Sequence, residues 1–235
     1  MIDINCDVGE GLDNEHLLMP YLSSCNIACG GHAGDHDSMS RVVSLAKQHQ
    51  VKIGAHPSYP DRVNFGRTSM TLTHDELRDT IIDQIENLIK VTRQYGVDIH
   101  HIKPHGALYN DLVKSKSLAI SFLEIISKYK SQYKLYVPFG SIIAEEAHQQ
   151  GFDIVYEAFA DRNYNDDLSL VSRKLPEALI TNPELMISHI SEMTQHHRVK
   201  TISGKLVEIR ASTFCVHSDT QNAIDIVKKL HQEFH

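Results

Sequence analysis

The sequence predicts an α/β fold in which a mainly parallel sheet closes into a (βα) barrel. Two observations support this class. Short apolar segments of strand length alternate along the chain with amphipathic segments of helical length, which is typical of βαβ units and a parallel sheet. Within the candidate strands polar and apolar side chains alternate, so that one face of the sheet is apolar and the other carries polar groups.

The chain contains a series of segments with the length and composition of strands. We expect all of them to belong to one domain that spans residues 1–235. The predicted strands are residues 2–7, 26–30, 51–55, 99–103, 134–138, 153–158 and 209–216. A Ser203-Gly204 turn also predicts a small hairpin near residues 199–208.

The polarity of the strands favours a barrel over an open sheet. In the first strand Ile4 and Cys6 lie opposite Asp7, whereas a central strand of an open doubly wound sheet is usually apolar on both faces. The helices between the strands would cover the outside of the sheet, so the polar face needs the lumen of a closed ring. Small residues such as Gly30 and Gly54 are expected to leave room there for a pocket.

Several helix ends are marked by capping signals. Thr73 and Glu76 form a capping box before a long amphipathic stripe. Asp35 or Asp37 is expected to cap the helix that follows the second strand, and Asp219 the closing helix.

Composition and charge exclude several classes of function. The net charge is −7 and Lys and Arg do not cluster, which argues against nucleic-acid binding. No segment approaches the roughly 20 apolar residues that cross a membrane, and the first residues lack the pattern of a signal peptide. We therefore expect a cytoplasmic protein without a nucleic-acid or membrane partner. The 4 cysteines indicate buried small side chains rather than a disulfide framework.

Ionisable side chains collect at the carboxyl ends of the predicted strands. Sites of βα proteins form at that edge, because the loops that follow the strands converge there. Lys103 and His105 in "KPHG" share one strand face, so both are expected to point into one pocket. The polar strand-end residues are Asn5, Asp7, Glu10, His32, Asp35, His56, Asp61, Lys103, His105, Glu157, Asp161, Arg162, His217 and Asp219.

The motifs that are absent narrow the chemistry. The sequence contains no phosphate-binding glycine loop, dinucleotide-binding motif or nucleophile elbow. The strand-end His, Asp, Glu, Lys and Arg side chains are groups that activate water and stabilise an oxyanion, so they indicate hydrolysis of a small polar substrate. Asp7, His32 and His105 are candidate ligands should a divalent metal ion take part.

Several motifs resemble those of the LamB/YcsF family. The segments "DINCDVGEG", "NIACGGHAGD", "IGAHPSYPD", "KPHGALYN", "EAFADRNY" and "CVHSD" follow in the family's order over nearly the whole chain. The resemblance implies a distorted seven-stranded parallel (βα) barrel of the glycoside hydrolase/deacetylase type. It also implies ATP-dependent opening of 5-oxoproline (pyroglutamate) to glutamate, carried out with two partner subunits, PxpB and PxpC. Gly31 and Ser218 stand where the family usually has Phe and Gly.

The implied reaction assigns hypothetical roles to the catalytic groups. A lactam is a stable amide, and phosphorylation of its oxygen by ATP would activate it. Asp7 or His105 would then deprotonate water. Lys103 or His56 would stabilise the oxyanion. The candidate catalytic residues are Asp7, His56, Lys103, His105, Glu157 and Asp161.

Substrate-binding residues are expected around the same pocket. Arg67 or Arg162 would hold the substrate carboxylate, because a guanidinium makes two parallel hydrogen bonds to it. Asn5 and His217 complete this set. Since the sequence shows no phosphate loop, ATP is expected to bind mainly with the partner subunits. A homo-oligomer is left open.

Two other functions fit the same residues. A metal-dependent deacetylase or other amidohydrolase would act alone and hold a divalent ion tightly. A non-catalytic subunit would bind a lactam or a sugar and regulate its partners, and its ligand binding would survive the loss of Asp7 or His105.

Overall fold

The computed structural model describes residues 2–234. The strands are β1 (Asp3–Val8), β2 (Ser24–Ala28), β3 (Lys52–His56), β4 (Ile99–Ile102), β5 (Lys134–Pro138), β6 (Ile154–Phe159), β7 (Arg198–Lys200), β8 (Leu206–Glu208) and β9 (Thr213–Cys215). The helices are α1 (Glu15–Leu18), α2 (His36–His49), α3 (His74–Gln94), α4 (Gly106–Lys114), α5 (Lys116–Ile126), α6 (Ile142–Gln149), α7 (Pro183–His196) and α8 (Ala223–Phe234). Within residues 2–234, seven parallel strands form a closed barrel in the order β1-β2-β3-β4-β5-β6-β9, which confirms the predicted fold.

The barrel closes through its last strand. β9 pairs in parallel with β1, where Thr213 lies opposite Asp3, and with β6, where Thr213 lies opposite Glu157. A long segment connects β6 to β9, and it contains α7 and the antiparallel pair β7–β8. The apolar side chains of β1, such as Ile4, are fully buried in the hydrophobic core.

Most observed strand bounds lie within one residue of the predicted ones, and two strands differ by more. β2 runs two residues earlier than predicted, so Gly30 lies in the following turn, where its φ is 115° and its N–H donates to Ala33 O at 2.8 Å. The expectation that Gly30 opens space inside the sheet is therefore wrong. The last predicted strand is shorter, because Ile209 N donates to His197 O at the edge of β7–β8 instead of entering the barrel.

Polar side chains fill the lumen. Asn26 Nδ2 donates to Asn5 Oδ1 and to Asp7 Oδ1, each at 2.8 Å. His101 Nε2 donates to Asn26 Oδ1 at 2.7 Å, and the His101 ring stacks on Tyr136 with the centroids 3.8 Å apart. All of these side chains are buried. Because each of these side chains has a polar partner or a stacking partner, the interior of the barrel is a hydrogen-bonded core.

Gly54 makes room for one member of this core. A Cβ at position 54 would overlap the imidazole ring of His101. The expectation that Gly54 leaves room in the lumen for a pocket is therefore wrong, because the His101 side chain fills that room.

The predicted helix caps are confirmed at two helices and wrong at a third. The capping box of Thr73 and Glu76 precedes α3, and Asp35 caps α2. The prediction that Asp219 caps α8 is wrong, because that helix begins at Ala223 and the carboxylate pairs instead with two arginine side chains. Within residues 2–234 none of the helices combines the length and the hydropathy that a membrane crossing requires.

Candidate active site

A cavity of about 690 Å³ opens at the carboxyl ends of the barrel strands. The predicted site residues that line it are Asp7, His56, Arg67, Lys103, His105, Arg162 and His217. The other predicted residues are buried next to this lining: Asn5 and Glu157 contact Lys103, Asp161 contacts His217, and His32 contacts the lining residue Glu10. The structure therefore brings residues from distant parts of the chain to one end of the barrel.

Lys103 joins two carboxylates in the lumen. Its Nζ lies 2.9 Å from Asp7 Oδ1 and 2.9 Å from Glu157 Oε1, and it donates to Asn5 Oδ1 at 3.4 Å. Burial disfavours the ammonium charge, but the adjacent carboxylates outweigh burial and raise the pKa of Lys103 well above its usual value. An ammonium has three donors, so these contacts leave Lys103 no free donor for a ligand.

The two carboxylate oxygens of Asp7 lie in different surroundings. Oδ1 accepts from Lys103 and Asn26, whereas Oδ2 lies 3.4 Å from His56 Nε2. Burial alone would raise the pKa of the carboxyl, but the neighbouring His56 side chain and the Lys103 ammonium hold the pKa of Asp7 well below its usual value. Asp7 is therefore a carboxylate at neutral pH, and Oδ2 is the oxygen left for a water molecule or a ligand.

His56 and His105 face each other through one ring nitrogen each. His56 Nε2 lies 2.9 Å from His105 Nδ1. On the far sides of the rings, His56 Nδ1 donates to Lys103 O at 2.7 Å and His105 Nε2 donates to Phe65 O at 3.0 Å. Burial, reinforced by the neighbouring histidines, lowers the pKa of His105 well below its usual value. His105 is therefore neutral, with its proton on Nε2.

Glu10 and His32 extend this group. His32 Nε2 lies 2.9 Å from Glu10 Oε1, and His32 Nδ1 donates to Ser58 Oγ at 3.0 Å. The His32 ring stacks on His105 with the centroids 3.6 Å apart. Burial lowers the pKa of His32 to about 2 and raises the pKa of Glu10. The sequence places Glu10 at a strand end but gives it no catalytic, substrate-binding or metal-binding role, and its position just after β1 was the signal that could have assigned one.

The predicted metal ligands are Asp7, His32 and His105, but the structure brings together a different group of possible ligands. Glu10, His32, His56 and His105 each offer a ligand atom, and these atoms all lie within 4.8 Å of one another. Asp7 is not a member of this group, and its Oδ1 is paired with the lysine ammonium. We call the four residues the histidine–glutamate cluster.

Asp161 positions His217. The Asp161 carboxylate accepts from His217 Nδ1 and from His217 N at 3.0 Å, and from Thr220 Oγ1 at 2.5 Å. Burial would raise the pKa of Asp161, but the His217 charge and these hydrogen bonds lower it. Since Asp161 is completely buried and His217 lines the cavity, Asp161 acts on a ligand only through the imidazole.

The arginines around the cavity differ in what they can bind. Arg162 is buried, and its Nε and Nη2 donate to two backbone carbonyls, which leaves Nη1 without a hydrogen bond among residues 2–234. Arg67 is half-exposed and pairs with Asp219 at 3.2 Å. Arg173 pairs with the same carboxylate oxygen at 3.1 Å. Sequence analysis missed Arg173, because an arginine in a long loop carries no strand-end signal.

The sequence profile of the LamB/YcsF family matches residues 2–235. The chain belongs to the LamB/YcsF family. A relative from Pyrococcus abyssi, which is named as one of the subunits of 5-oxoprolinase, is 42% identical over 236 residues, which cover 97% of this LamB/YcsF chain and 92% of the relative. A relative of the same name from Neisseria meningitidis serogroup C is 37% identical over 232 residues, covering 99% of this chain and 95% of the relative.

Solved structures share the barrel of this LamB/YcsF protein. A lactam utilization protein from Thermus thermophilus superposes with a TM-score of 0.91 at 33% identity, over 98% of this chain and 94% of that one. The spore cortex-lytic enzyme SleL of Bacillus cereus superposes with a TM-score of 0.51 at 8% identity, over 97% of this chain and 74% of that one. The second likeness concerns the fold alone.

Gly31 and Ser218, the two positions expected to depart from the LamB/YcsF pattern, lie in different surroundings. Gly31 packs against Ser58 and Gln84, and a Cβ at position 31 would overlap both side chains. Ser58 in turn accepts a hydrogen bond from His32, so Gly31 fits the local support of that histidine. Ser218 lines the cavity, so it is the departure that bears on a bound ligand directly.

Proposed function

We propose that this chain is a subunit of an ATP-dependent 5-oxoprolinase and carries the groups that open the lactam of 5-oxo-L-proline to L-glutamate. One observation carries the proposal. The buried charged group of Asp7, Lys103 and Glu157 lies beside a cavity of about 690 Å³ at the barrel mouth. The relatives named as 5-oxoprolinase subunits and the related lactam utilization protein support the class of substrate.

The substrate carboxylate pairs with Arg162 in this proposal. Nη1 is the guanidinium nitrogen without a partner among residues 2–234, whereas Arg67 is already paired with Asp219. The aromatic rings of Phe139 and Phe159 line the same cavity and offer an apolar surface to the lactam ring. Cavities of roughly 300–1,000 Å³ accept drug-sized ligands, so the space exceeds what one small lactam needs and admits a phosphoryl group beside it.

Asp7 acts as the general base for water, because its Oδ2 remains beside the cavity while Oδ1 is held by Lys103. The field of the Lys103 ammonium stabilises negative charge on the substrate oxygen, although its donors are already used. His217 gives a proton to the leaving ring nitrogen, since Asp161 holds its Nδ1 and leaves Nε2 for the cavity.

ATP is the co-substrate, and the partner subunits PxpB and PxpC supply most of its site. The absence of a phosphate-binding loop from the sequence supports this division. The terminal phosphoryl group passes to the lactam oxygen, and ADP leaves. Water then adds to the carbonyl carbon that carries this oxygen. The bond between that carbon and the ring nitrogen breaks, and the nitrogen leaves as an amine. A second water releases phosphate from the resulting acyl phosphate and gives glutamate.

Glutamate release from 5-oxoproline tests the proposal. The assay compares the chain alone, the two partner subunits without it and the reconstituted complex, each with and without ATP. We expect turnover only from the complex with ATP. Equal turnover by the partner subunits without this chain would make it a regulatory component. ATP-independent cleavage of acylated sugars by the chain alone would make it a stand-alone amidohydrolase.

A further inference from the structure

We propose that the histidine–glutamate cluster is a binding site for one divalent transition-metal ion of the Zn²⁺ type. The ligands are Glu10, His32, His56 and His105. This inference does not depend on the proposed function, because it concerns what these side chains bind in the absence of substrate, ATP and partner subunits.

The distances within the cluster fit a single ion. The ligand atoms all lie within 4.8 Å of one another. Glu10 Oε1 lies 2.9 Å from His32 Nε2 and 3.6 Å from His105 Nδ1, and His105 Nδ1 lies 2.9 Å from His56 Nε2. Metal–nitrogen bonds of about 2.0–2.1 Å in a tetrahedral site place neighbouring ligand atoms roughly 3.3 Å apart. The observed separations bracket this value.

The hydrogen bonds on the far side of each ring point the lone pairs inward. His56 Nδ1 donates to the backbone oxygen of Lys103, and His105 Nε2 donates to that of Phe65. His32 Nδ1 donates to Ser58 Oγ, whose own proton is given to the carbonyl of Tyr59. A neutral imidazole has one donor nitrogen, so each ring turns its acceptor nitrogen towards the others. Histidines that bind metals are oriented by outer partners of this kind.

The inward contacts are short, and neutral rings leave them without a donor. In that state His56 Nε2 and His105 Nδ1 are both acceptors 2.9 Å apart, and His32 Nε2 faces the Glu10 carboxylate oxygen at the same distance. Lone pairs that face each other repel unless a cation lies between them. A metal ion satisfies all four ligands at once, whereas the alternative requires separate extra protons at the two contacts.

The ligand types indicate the class of metal. Imidazole nitrogen with one carboxylate suits Zn²⁺, Fe²⁺, Ni²⁺ or Cu²⁺, whereas Mg²⁺ and Ca²⁺ prefer oxygen ligands. Glu10, His56 and His105 also line the cavity, so the ion is reachable from it. Phe65, whose carbonyl orients His105, has φ of 56°, a value that bulky side chains seldom adopt. Phe65, whose backbone is strained, therefore holds the proposed metal ligand His105 in its orientation.

Metal binding by the untagged full-length chain tests the site. After chelator treatment, the protein is titrated with Zn²⁺ by calorimetry, and its metal content is measured after desalting. We expect equimolar Zn²⁺ in the wild type and an affinity lowered about tenfold or more in Glu10→Gln and in His105→Ala. His36→Ala, which removes an exposed histidine of α2, is the control and is expected to bind like the wild type. Circular dichroism establishes that each variant is folded.

X-ray absorption of the loaded protein gives a second readout. Nitrogen or oxygen neighbours at about 2.0–2.1 Å with the outer-shell pattern of imidazole are expected, and that pattern weakens in His105→Ala. The inference is overturned if folded wild type binds Zn²⁺ no more tightly than folded Glu10→Gln and His105→Ala. In that case hydrogen-bonding protons, and not a metal ion, lie between the ligand atoms at the two short contacts. Neither result depends on glutamate release, so the site and the proposed function succeed or fail separately.

Discussion

The ammonium of Lys103 lies 2.9 Å from the carboxylate of Asp7, and the two side chains are only 2% and 8% exposed. A second carboxylate, Glu157, lies at the same distance from the ammonium. One buried cation therefore balances two buried anions. Removing the cation would leave like charges together in a medium of low dielectric constant, which is far more costly than losing an ion pair at the surface.

Replacing Lys103 is expected to destabilise the fold strongly. Lys103→Met keeps much of the side-chain length but leaves Asp7 and Glu157 unpaired, and we expect a loss of about 3–5 kcal/mol in the free energy of unfolding. The control is Lys52→Met, because Lys52 is half-exposed and pairs with Asp3 at 3.2 Å. That variant should lose less than about 1 kcal/mol. Denaturant titration measures both, and equal small losses would contradict a stabilising role for the buried cation.

Asp7→Asn is expected to lower turnover without preventing complex formation. The amide keeps the size of the carboxylate but cannot take a proton from water, so kcat should fall by about 10²–10⁴-fold with little change in KM. Steady-state glutamate release by the reconstituted complex measures both constants. Asp37→Asn, at a fully exposed carboxylate of α2, is the matched control and should retain the wild-type kcat. A kcat within about twofold of wild type in Asp7→Asn would remove Asp7 from the reaction.

Asp161 is expected to make stability depend on acid pH. Its pKa in the folded chain is lowered, so it lies below the unfolded value of about 3.9. The stabilisation is therefore fully present above the unfolded pKa and is lost as the pH falls through the folded pKa.

Urea titrations of the wild type and Asp161→Asn between about pH 7 and pH 3 measure this dependence. The difference in the free energy of unfolding should be largest near neutral pH and should shrink below about pH 5. Asp37→Asn is expected to follow the wild type throughout. A difference that stays constant with pH would show that Asp161 stabilises the fold by packing alone.

Gly54→Ala is expected to destabilise the barrel through His101. The added methyl group overlaps the imidazole, which cannot move freely because it bonds to Asn26 and stacks on Tyr136. Overpacking of this kind costs about 1–3 kcal/mol. In a double-mutant cycle with His101→Ala, the cost of Gly54→Ala should fall sharply, because the ring that it meets is gone. Additive effects of the two substitutions on the free energy of unfolding would rule out this contact as the cause.

Much of the fold could be predicted because it depends on local alternation. The parity of Asp7 in β1, and of Lys103 and His105 at the end of β4, indicates which side chains face the lumen, and a parallel sheet brings its carboxyl ends to one edge. The capping box of Thr73 and Glu76 depends on residues three apart, so it is also visible in the sequence.

The partners across the barrel could not be predicted, because they depend on the stagger of the strands. Nothing local to Lys103 indicates that its second carboxylate is Glu157, in the last residues of β6, rather than Asp161, just after that strand. Asp219 met the local criteria for a cap, but it bonds to arginines from two distant loops. Asp219 pairs with these arginines instead of capping α8, because the tertiary structure brings the opposite charges together.

The seam of the barrel has a consequence for synthesis. Thr213 Oγ1 donates to Asp3 Oδ1 at 2.7 Å, and these residues are 210 positions apart along the chain. While the ribosome is still making the intervening residues, β1 therefore has a free edge that can pair with strands of other nascent chains. The ring cannot shut until β9 has emerged, so protection of this edge by chaperones is needed until late in translation.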